Sequence, residues 1–299
     1  MRRTKIVATI GPASRDPEVL VQMVAAGMDV ARLNFSHGSA DEHAEVAQRV
    51  RDAANRAGRA VAILQDLPGP KLRIGKLRDD IVELGAGDPL TFVCGDGDGG
   101  GDGDRHRMFI SWDGLADAVG PDEIMYLADG SVRLRVTATR PADGEIDTVV
   151  EIGGAVASRQ GLNIPGEAAT LPAVPEEDLE HLRTGEKIGV DLVALSFVRR
   201  AEDVEFVRGH TRLPLVAKIE KPQAVQRAEE IVRAADCVMV ARGDLGIEMR
   251  IEEVPHVQKR IIATAGSRRP ARPTSARSGA PSRGPETARR WARWAGGPR

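Results

Sequence analysis

Residues 215–246, LVAKIEKPQAVQRAEEIVRAADCVMVARGDLG, contain the unit that decides the fold. Leu215–Lys221 and Cys237–Ala241 are short apolar runs of the kind that form buried strands. Between them, apolar side chains recur at the spacing of one helical face: Ala224, Val225, Ala228, Ile231, Val232 and Ala235. A strand, a helix and a second buried strand in this order predict a parallel pair of strands with the crossover helix packed outside.

The same alternation of strand and helix occurs on both sides of a long interruption. Earlier strands are predicted at Lys5–Gly11, Val30–Ser36 and Val61–Leu67, and a fourth at Asp191–Val198. Helices are predicted at Asp16–Ala26, after the capping-box sequence at Ser39–Glu42, at Glu202–Arg208 and at Ile251–Ala265. Six strand–helix units are recognisable, whereas a complete (β/α)8 barrel has eight. The predicted fold class is therefore α/β with a parallel sheet.

Residues 71–158 interrupt this alternation with apolar–polar repeats punctuated by Gly and Asp and without a helical pattern. The predicted strands are Leu90–Cys94, Met108–Ile110, Ile124–Leu127, Val132–Thr139 and Thr148–Ile152. The pattern predicts a small β domain inserted after the third strand. The expected division is then 1–70 and 159–265 for the α/β domain, with 71–158 inserted between them.

The net charge of −2 conceals two different segments. Residues 266–299 carry a charge of +8 from nine Arg and one Glu, which leaves −10 for residues 1–265. This last segment contains no Leu, Ile, Val or Met, so it is predicted to be a disordered tail, with a frame-shifted origin favoured over a nucleic-acid-binding role. Two cysteines exclude a disulfide scaffold, and no apolar run approaches the length of a membrane span.

Polar residues cluster where the predicted strands end, which is where parallel α/β folds place their chemistry. Lys218 and Glu220 share one face of the fifth strand, and Asp244 follows the sixth strand 24 residues after Glu220. We expect the two carboxylates on neighbouring strand ends, where all-oxygen ligands suit Mg²⁺ or Mn²⁺. Arg and Lys side chains beside them suit a phosphorylated or carboxylated substrate. Each residue alone is better explained as an ordinary salt bridge, but such residues at several strand ends together indicate a site.

Six motifs in order along residues 5–265 resemble the pyruvate kinase family: IVATIGP at 6–12, RLNFSHG at 32–38, DLPGPKLR at 66–73, ALSFV at 194–198, KIEK at 218–221 and ARGDLG at 241–246. The resemblance implies a TIM-barrel domain, here incomplete, and a small inserted β-barrel domain. It also implies cytoplasmic transfer of a phosphoryl group from phosphoenolpyruvate to ADP, giving pyruvate and ATP. It further implies a homotetramer, and neither nucleic acid nor a membrane is an expected partner.

The resemblance further implies roles for individual residues. Glu220 and Asp244 would hold Mg²⁺ or Mn²⁺, and Lys218 would neutralise the transferring phosphoryl group. Arg32, Asn34 and Arg73 would contact phosphate or nucleotide, and the Gly243 N–H would bind the substrate carboxylate. A K⁺ ion would be bound by Asn34, Ser36, Asp66 and the Leu67 carbonyl. Family members with Lys at the position of Lys71 are often independent of K⁺, so weak K⁺ activation is predicted.

A later Thr-containing motif of the family, with the seventh and eighth strands, is absent from this sequence. The expectation is therefore a chain truncated or frame-shifted after about residue 265, with loss of activity as a consequence to be tested. Two other functions remain open: a non-catalytic remnant or binding protein, and a metal-dependent lyase or aldolase acting on phosphoenolpyruvate or pyruvate. The inserted β domain and the RLNFSHG motif speak against the lyase.

Overall fold

The computed structural model describes residues 4–70, 72–95, 101–164 and 174–267. Its strands are β1 (Val7–Thr9), β2 (Val30–Asn34), β3 (Ala62–Asp66), β4 (Ile81–Leu84), β5 (Pro89–Cys94), β6 (Arg107–Ile110), β7 (Ile124–Leu127), β8 (Val132–Arg140), β9 (Glu145–Ile152), β10 (Gly154–Ala157), β11 (Leu162–Asn163), β12 (Leu192–Leu195), β13 (Leu215–Ile219) and β14 (Cys237–Val240). Its α-helices are α1 (Pro17–Ala26), α2 (Ala40–Arg56), α3 (Leu115–Ala118), α4 (Glu176–Ile188), α5 (Ala201–Arg208), α6 (Pro222–Gln226), α7 (Ala228–Ala234), α8 (Arg242–Glu248) and α9 (Val254–Gly266). Short 3₁₀ turns lie at Ala128–Gly130, Pro141–Asp143 and Ile251–Glu253.

The main sheet is parallel throughout and has the strand order β1-β2-β3-β12-β13-β14 in the described residues. Its two faces bury different sets of side chains, because successive residues of a strand point to opposite sides. The outer face packs against α1, α2, α4, α5, α7 and α9 in one large apolar core. The inner face carries a smaller cluster: Val30, Leu64, Leu192, Ala194 and Val216. The predicted α/β class is confirmed.

The helices begin where the sequence supplies capping groups. The Asp16 carboxylate accepts hydrogen bonds from the N–H groups of Glu18 and Val19, and Pro17 occupies the first helical position. At the start of α2, Ser39 and Glu42 form the reciprocal capping box that the sequence predicts. These caps satisfy N–H groups that have no partner within the helix, and they fix where each crossover helix begins.

A second, mixed sheet follows β3 and has its own apolar core. Its strand order is β11-β7-β8-β9-β5-β6, and β4 pairs with β10 beside it. The strands predicted from alternation are present, each within a few residues of its expected bounds. The prediction that residues 71–158 contain no helix is wrong at one place, where the short helix α3 forms. The sheet also continues beyond residue 158, because β11 pairs with β7.

Three local differences from the sequence expectations bear on the strand ends. β2 ends at Asn34, so Ser36 lies in a turn and does not continue the alternation of Arg32 and Asn34. The single helix expected across 224–235 is divided at Arg227 into α6 and α7, because the backbone there leaves the helical region. The ARGDLG motif forms a short helix, α8, directly after β14.

Two sequence expectations lie outside the described residues: the side chain of Lys71 and the tail from residue 268 to 299. α9 runs to Gly266, one residue past the end expected from the sequence. Among the described helices, none has the length and apolar content that crossing a membrane requires.

Candidate active site

Asp66, the last residue of β3, is buried between two cationic side chains. Its Oδ2 lies 2.6 Å from Arg32 Nε and 2.5 Å from Arg32 Nη2, and its Oδ1 lies 3.2 Å from Lys218 Nζ. The side chain of Asp66 is only 2% exposed, while that of Arg32 is 27% exposed. Asp66 is therefore fixed inside the sheet edge, and part of the Arg32 guanidinium remains open to solvent.

Lys218 on β13 donates a hydrogen bond to one oxygen at the same edge, that of Ser196, and forms ion pairs with two carboxylates. Its Nζ lies 2.7 Å from Ser196 Oγ and 2.8 Å from Glu220 Oε1, in addition to Asp66. The Ser196 hydroxyl in turn donates to the Leu67 carbonyl at 2.7 Å. The ends of β3, β12 and β13 are thereby tied together through one ammonium group.

The charges at this edge perturb one another. Burial alone would lower the pKa of Lys218, but the carboxylates of Glu220 and Asp66 outweigh it, and the pKa lies above its ordinary value. Burial raises the pKa of Glu220; the Lys218 ammonium opposes that rise and the Asp244 carboxylate adds to it. Asp244 acts on Glu220 from α8, which follows the neighbouring strand β14.

The backbone of Phe197 holds the second oxygen of Glu220. The Phe197 N–H donates to Glu220 Oε2 at 2.7 Å, and Phe197 has a left-handed backbone with φ of +54°. Such a conformation in a bulky residue costs energy and persists only where its surroundings enforce it. Gly243 and Asp244 lie in the first turn of α8, which follows β14, the strand paired with β13.

The donor set at this edge fits a divalent cation of the Mg²⁺ type. Glu220 is 1% exposed, and a cation beside it would relieve its repulsion from Asp244. No cluster of three or more His, Cys, Asp or Glu side chains suited to a metal occurs among the residues with described coordinates. Two carboxylates are nevertheless sufficient for Mg²⁺, which retains waters and takes oxygens from a substrate.

The oxygens expected to bind a monovalent cation lie on the adjoining ends of β2 and β3. Asn34 and Asp66 are register partners, and the Asn34 amide oxygen accepts from the Ser36 N–H at 3.2 Å. The charge of Asp66 is already met by Arg32 and Lys218, and the Leu67 carbonyl already accepts from Ser196. A monovalent cation bound by this set would therefore share the Asp66 carboxylate with two cationic side chains.

Arg73 lies at the junction of the two sheets. It forms an isolated antiparallel bridge with Gly161, and its Nη1 donates to the Arg159 carbonyl at 3.1 Å. The structure thus places Arg73 beside the chain that returns from the inserted sheet, and no hydrogen bond or ion pair in the described residues ties it to Asp66, Lys218 or Glu220.

Three residues that surround the site were missed by the sequence reasoning. Ser196 and Phe197 position Lys218 and Glu220, and Asp178 in α4 accepts a hydrogen bond from the Gly69 N–H at 2.9 Å. Ser196 and Phe197 fall inside the quoted ALSFV motif, so a polar residue at the end of an apolar strand was the available signal. Nothing in the sequence distinguishes Asp178, because acidic residues are common in the first turn of a helix, where the helix dipole favours them.

Comparison with known proteins gives a consistent match. A family model described as "Pyruvate kinase, barrel domain" matches residues 1–272. A pyruvate kinase of Mycobacterium tuberculosis (strain CDC 1551 / Oshkosh) is 45% identical over 270 residues, covering 88% of this chain and 56% of the relative. One of Thermococcus litoralis is 42% identical over 265 residues, covering 87% and 54%. The chain spans about half the length of the curated relatives it matches.

Proposed function

The chain belongs to the pyruvate kinase family, and we propose that its strand-end cluster transfers a phosphoryl group from phosphoenolpyruvate to ADP, giving pyruvate and ATP. One observation carries this proposal. Lys218 Nζ, 2.8 Å from Glu220 and 3.2 Å from Asp66, is buried at the edge where Arg32 is partly open to solvent. Two cations of different exposure beside a buried carboxylate suit an anionic substrate that enters from solvent.

Phosphoryl transfer needs positioning and neutralised charge more than covalent chemistry. In the proposed reaction, the bond between the phosphorus and the enol oxygen of phosphoenolpyruvate breaks, and an oxygen of the ADP β-phosphate bonds to that phosphorus. Lys218 lies against the equatorial oxygens during transfer, and Arg32 contacts a phosphate from the solvent side. The enolate that remains takes a proton at carbon to become pyruvate.

The proposal assigns the remaining residues by the same logic. Glu220 and Asp244 hold a divalent cation, Mg²⁺ or Mn²⁺, which when bound supplies positive charge to the substrate oxygens. The Gly243 N–H at the start of α8 binds the substrate carboxylate. Asn34 and Arg73 are assigned to the nucleotide phosphates, with Arg73 at the junction with the inserted sheet.

A coupled assay of pyruvate formation from phosphoenolpyruvate and ADP tests this proposal. We expect Mg²⁺-dependent turnover that Glu220→Gln reduces at least about a hundredfold, by the scale on which single charge-stabilising groups act. Glu230→Gln, an exposed substitution on α7, is the matched control and should retain activity. Turnover that persists in Glu220→Gln, or phosphoenolpyruvate binding that no strand-end variant alters, would overturn the assignment.

We also propose that the activity depends little on K⁺. Asp66 is neutralised by Arg32 and Lys218, and Lys71 supplies a further cation at the start of the insertion. Rates are to be compared with K⁺ and with tetramethylammonium at equal ionic strength. Similar rates support this proposal, and strong stimulation by K⁺ contradicts it.

A further inference from the structure

A buried hydrogen bond joins the two points at which the chain leaves and re-enters the main sheet. Gly69 follows β3, just before the inserted sheet, and Asp178 lies in the first turn of α4, just after it. The Gly69 N–H donates to Asp178 Oδ2 at 2.9 Å, and Asp178 is 3% exposed. A buried N–H that loses its acceptor is energetically costly, so this contact strongly favours one position of the Gly69 turn.

The Gly69 turn is packed directly on the segment that holds the site. Gly69 has φ of +71°, and a Cβ added there would lie 2.9 Å from Phe197 Cδ2, 3.0 Å from Ser196 Cβ and 3.2 Å from the Ser196 carbonyl oxygen. No side chain fits between these groups. The backbone of Gly69 therefore forms a wall against which Ser196 and Phe197 rest.

Ser196 and Phe197 are the groups that orient the two ionisable residues of β13. The Ser196 hydroxyl accepts from Lys218, and the Phe197 N–H donates to Glu220. The left-handed backbone of Phe197 has to be enforced by its neighbours, and the Gly69 wall is one of them.

From these contacts we infer that Asp178 is a positioning residue for Glu220 and Lys218, acting through Gly69 and the Ser196–Phe197 backbone. The inference rests on the proposed function, since it assumes that Glu220 binds the divalent cation. Without the acceptor at Asp178, the Gly69 turn can move away from Phe197, and the Phe197 N–H then no longer holds Glu220. The expected consequence is weaker binding of the cation.

The test measures Mn²⁺ binding by the 299-residue chain from the electron paramagnetic resonance signal of free Mn²⁺, which needs no turnover. Asp178→Ala should weaken Mn²⁺ binding about tenfold, the low end of the effect that outer partners of metal ligands have. Asp178→Asn keeps an acceptor for the Gly69 N–H and should bind within about twofold of the unsubstituted chain. Asp178→Leu, which fills the space without an acceptor, replaces Asp178→Ala if that variant does not fold.

The matched control is Asp29→Ala, at the opposite end of the sheet. Asp29 is also buried, and its Oδ2 accepts from the Ile6 N–H at 2.9 Å. Its loss should lower stability without weakening Mn²⁺ binding. The inference is overturned if Asp178→Ala binds Mn²⁺ as the unsubstituted chain does, if Asp178→Asn is as weak as Asp178→Ala, or if Asp29→Ala weakens binding equally.

Amide hydrogen exchange separates this inference from the proposed function. Exchange at the Phe197 amide should accelerate in Asp178→Ala and not in Asp29→Ala, whatever the ligand of Glu220. If Glu220→Gln leaves Mn²⁺ binding intact, the proposed function fails while the Phe197 exchange still decides the role of Asp178. An unaltered Phe197 amide in Asp178→Ala contradicts the inference itself.

Discussion

Gly69→Ala should be destabilising for two reasons, and a matched control separates them. The first is backbone strain, because φ of +71° costs an L-residue about 1–2 kcal/mol. The second is contact, because the added Cβ would meet Phe197 Cδ2 at 2.9 Å and the Ser196 carbonyl at 3.2 Å. A backbone oxygen cannot swing aside as the end of a long side chain can, and such overpacking costs about 1–3 kcal/mol. Together the two terms predict a loss of about 2–5 kcal/mol in the free energy of unfolding.

Gly58→Ala is the matched control for this prediction. Gly58 has φ of +60° with no atom within 4 Å of an added Cβ, so its substitution carries the strain without the contact. Urea unfolding of both variants measures the difference, which should be about 1–3 kcal/mol in the direction of a less stable Gly69→Ala. Equal losses in the two variants would refute the packing of Gly69 on Ser196 and Phe197.

Three further predictions concern stability. Gly185→Ala in α4 should destabilise the folded chain by about 1–3 kcal/mol, although Ala ordinarily favours helices, because the added Cβ would lie 2.1 Å from Gln65 Oε1. In a Gln65→Ala background this contact is absent, and urea unfolding should show no such loss. Ser39→Ala removes the capping box of α2 and should cost about 1 kcal/mol; no change in the urea midpoint would contradict that cap. Burial raises the pKa of Asp178 from 3.8 to about 7, so the folded chain keeps this proton to a higher pH than the unfolded chain does. The free energy of unfolding therefore falls as pH rises from about 4 to about 7. Asp178→Asn should therefore be the more stable form at pH 8, by up to about 4 kcal/mol, and similar to the unsubstituted chain below pH 4; a pH-independent difference would contradict this.

The strand–helix order and the strand-end residues were predictable from the sequence because both follow simple periodicities. Continuous apolar runs indicate strands buried on both faces, and their parallel arrangement brings Glu220 and Asp244 to neighbouring strand ends. The same periodicity overextends β2, since the Asx-type turn from Asn34 to Ser36 ends the strand through a side-chain contact that alternation does not encode.

The roles of Asp178, Gly69 and Phe197 could not be predicted, because they depend on contacts between distant segments. Asp178 and Gly69 are 109 residues apart, and nothing in the sequence of α4 distinguishes a buried acceptor from a solvated helix start. The left-handed conformation of Phe197 likewise arises from packing, since a bulky residue does not favour it. The charged strand-end residues were therefore recognisable, whereas the roles of Asp178 and Gly69 and the conformation of Phe197 were not.

Mn²⁺ binding by this chain, measured with and without phosphoenolpyruvate in the unsubstituted form and in Glu220→Gln, directly tests whether the strand-end cluster is a phosphoryl-transfer site. We predict one Mn²⁺ site at the edge formed by β13 and β14, which binds Mn²⁺ more tightly when phosphoenolpyruvate is present and is lost in Glu220→Gln. Mn²⁺ binding that is unaffected by both the substrate and the substitution would contradict the claim that this edge is a phosphoryl-transfer site.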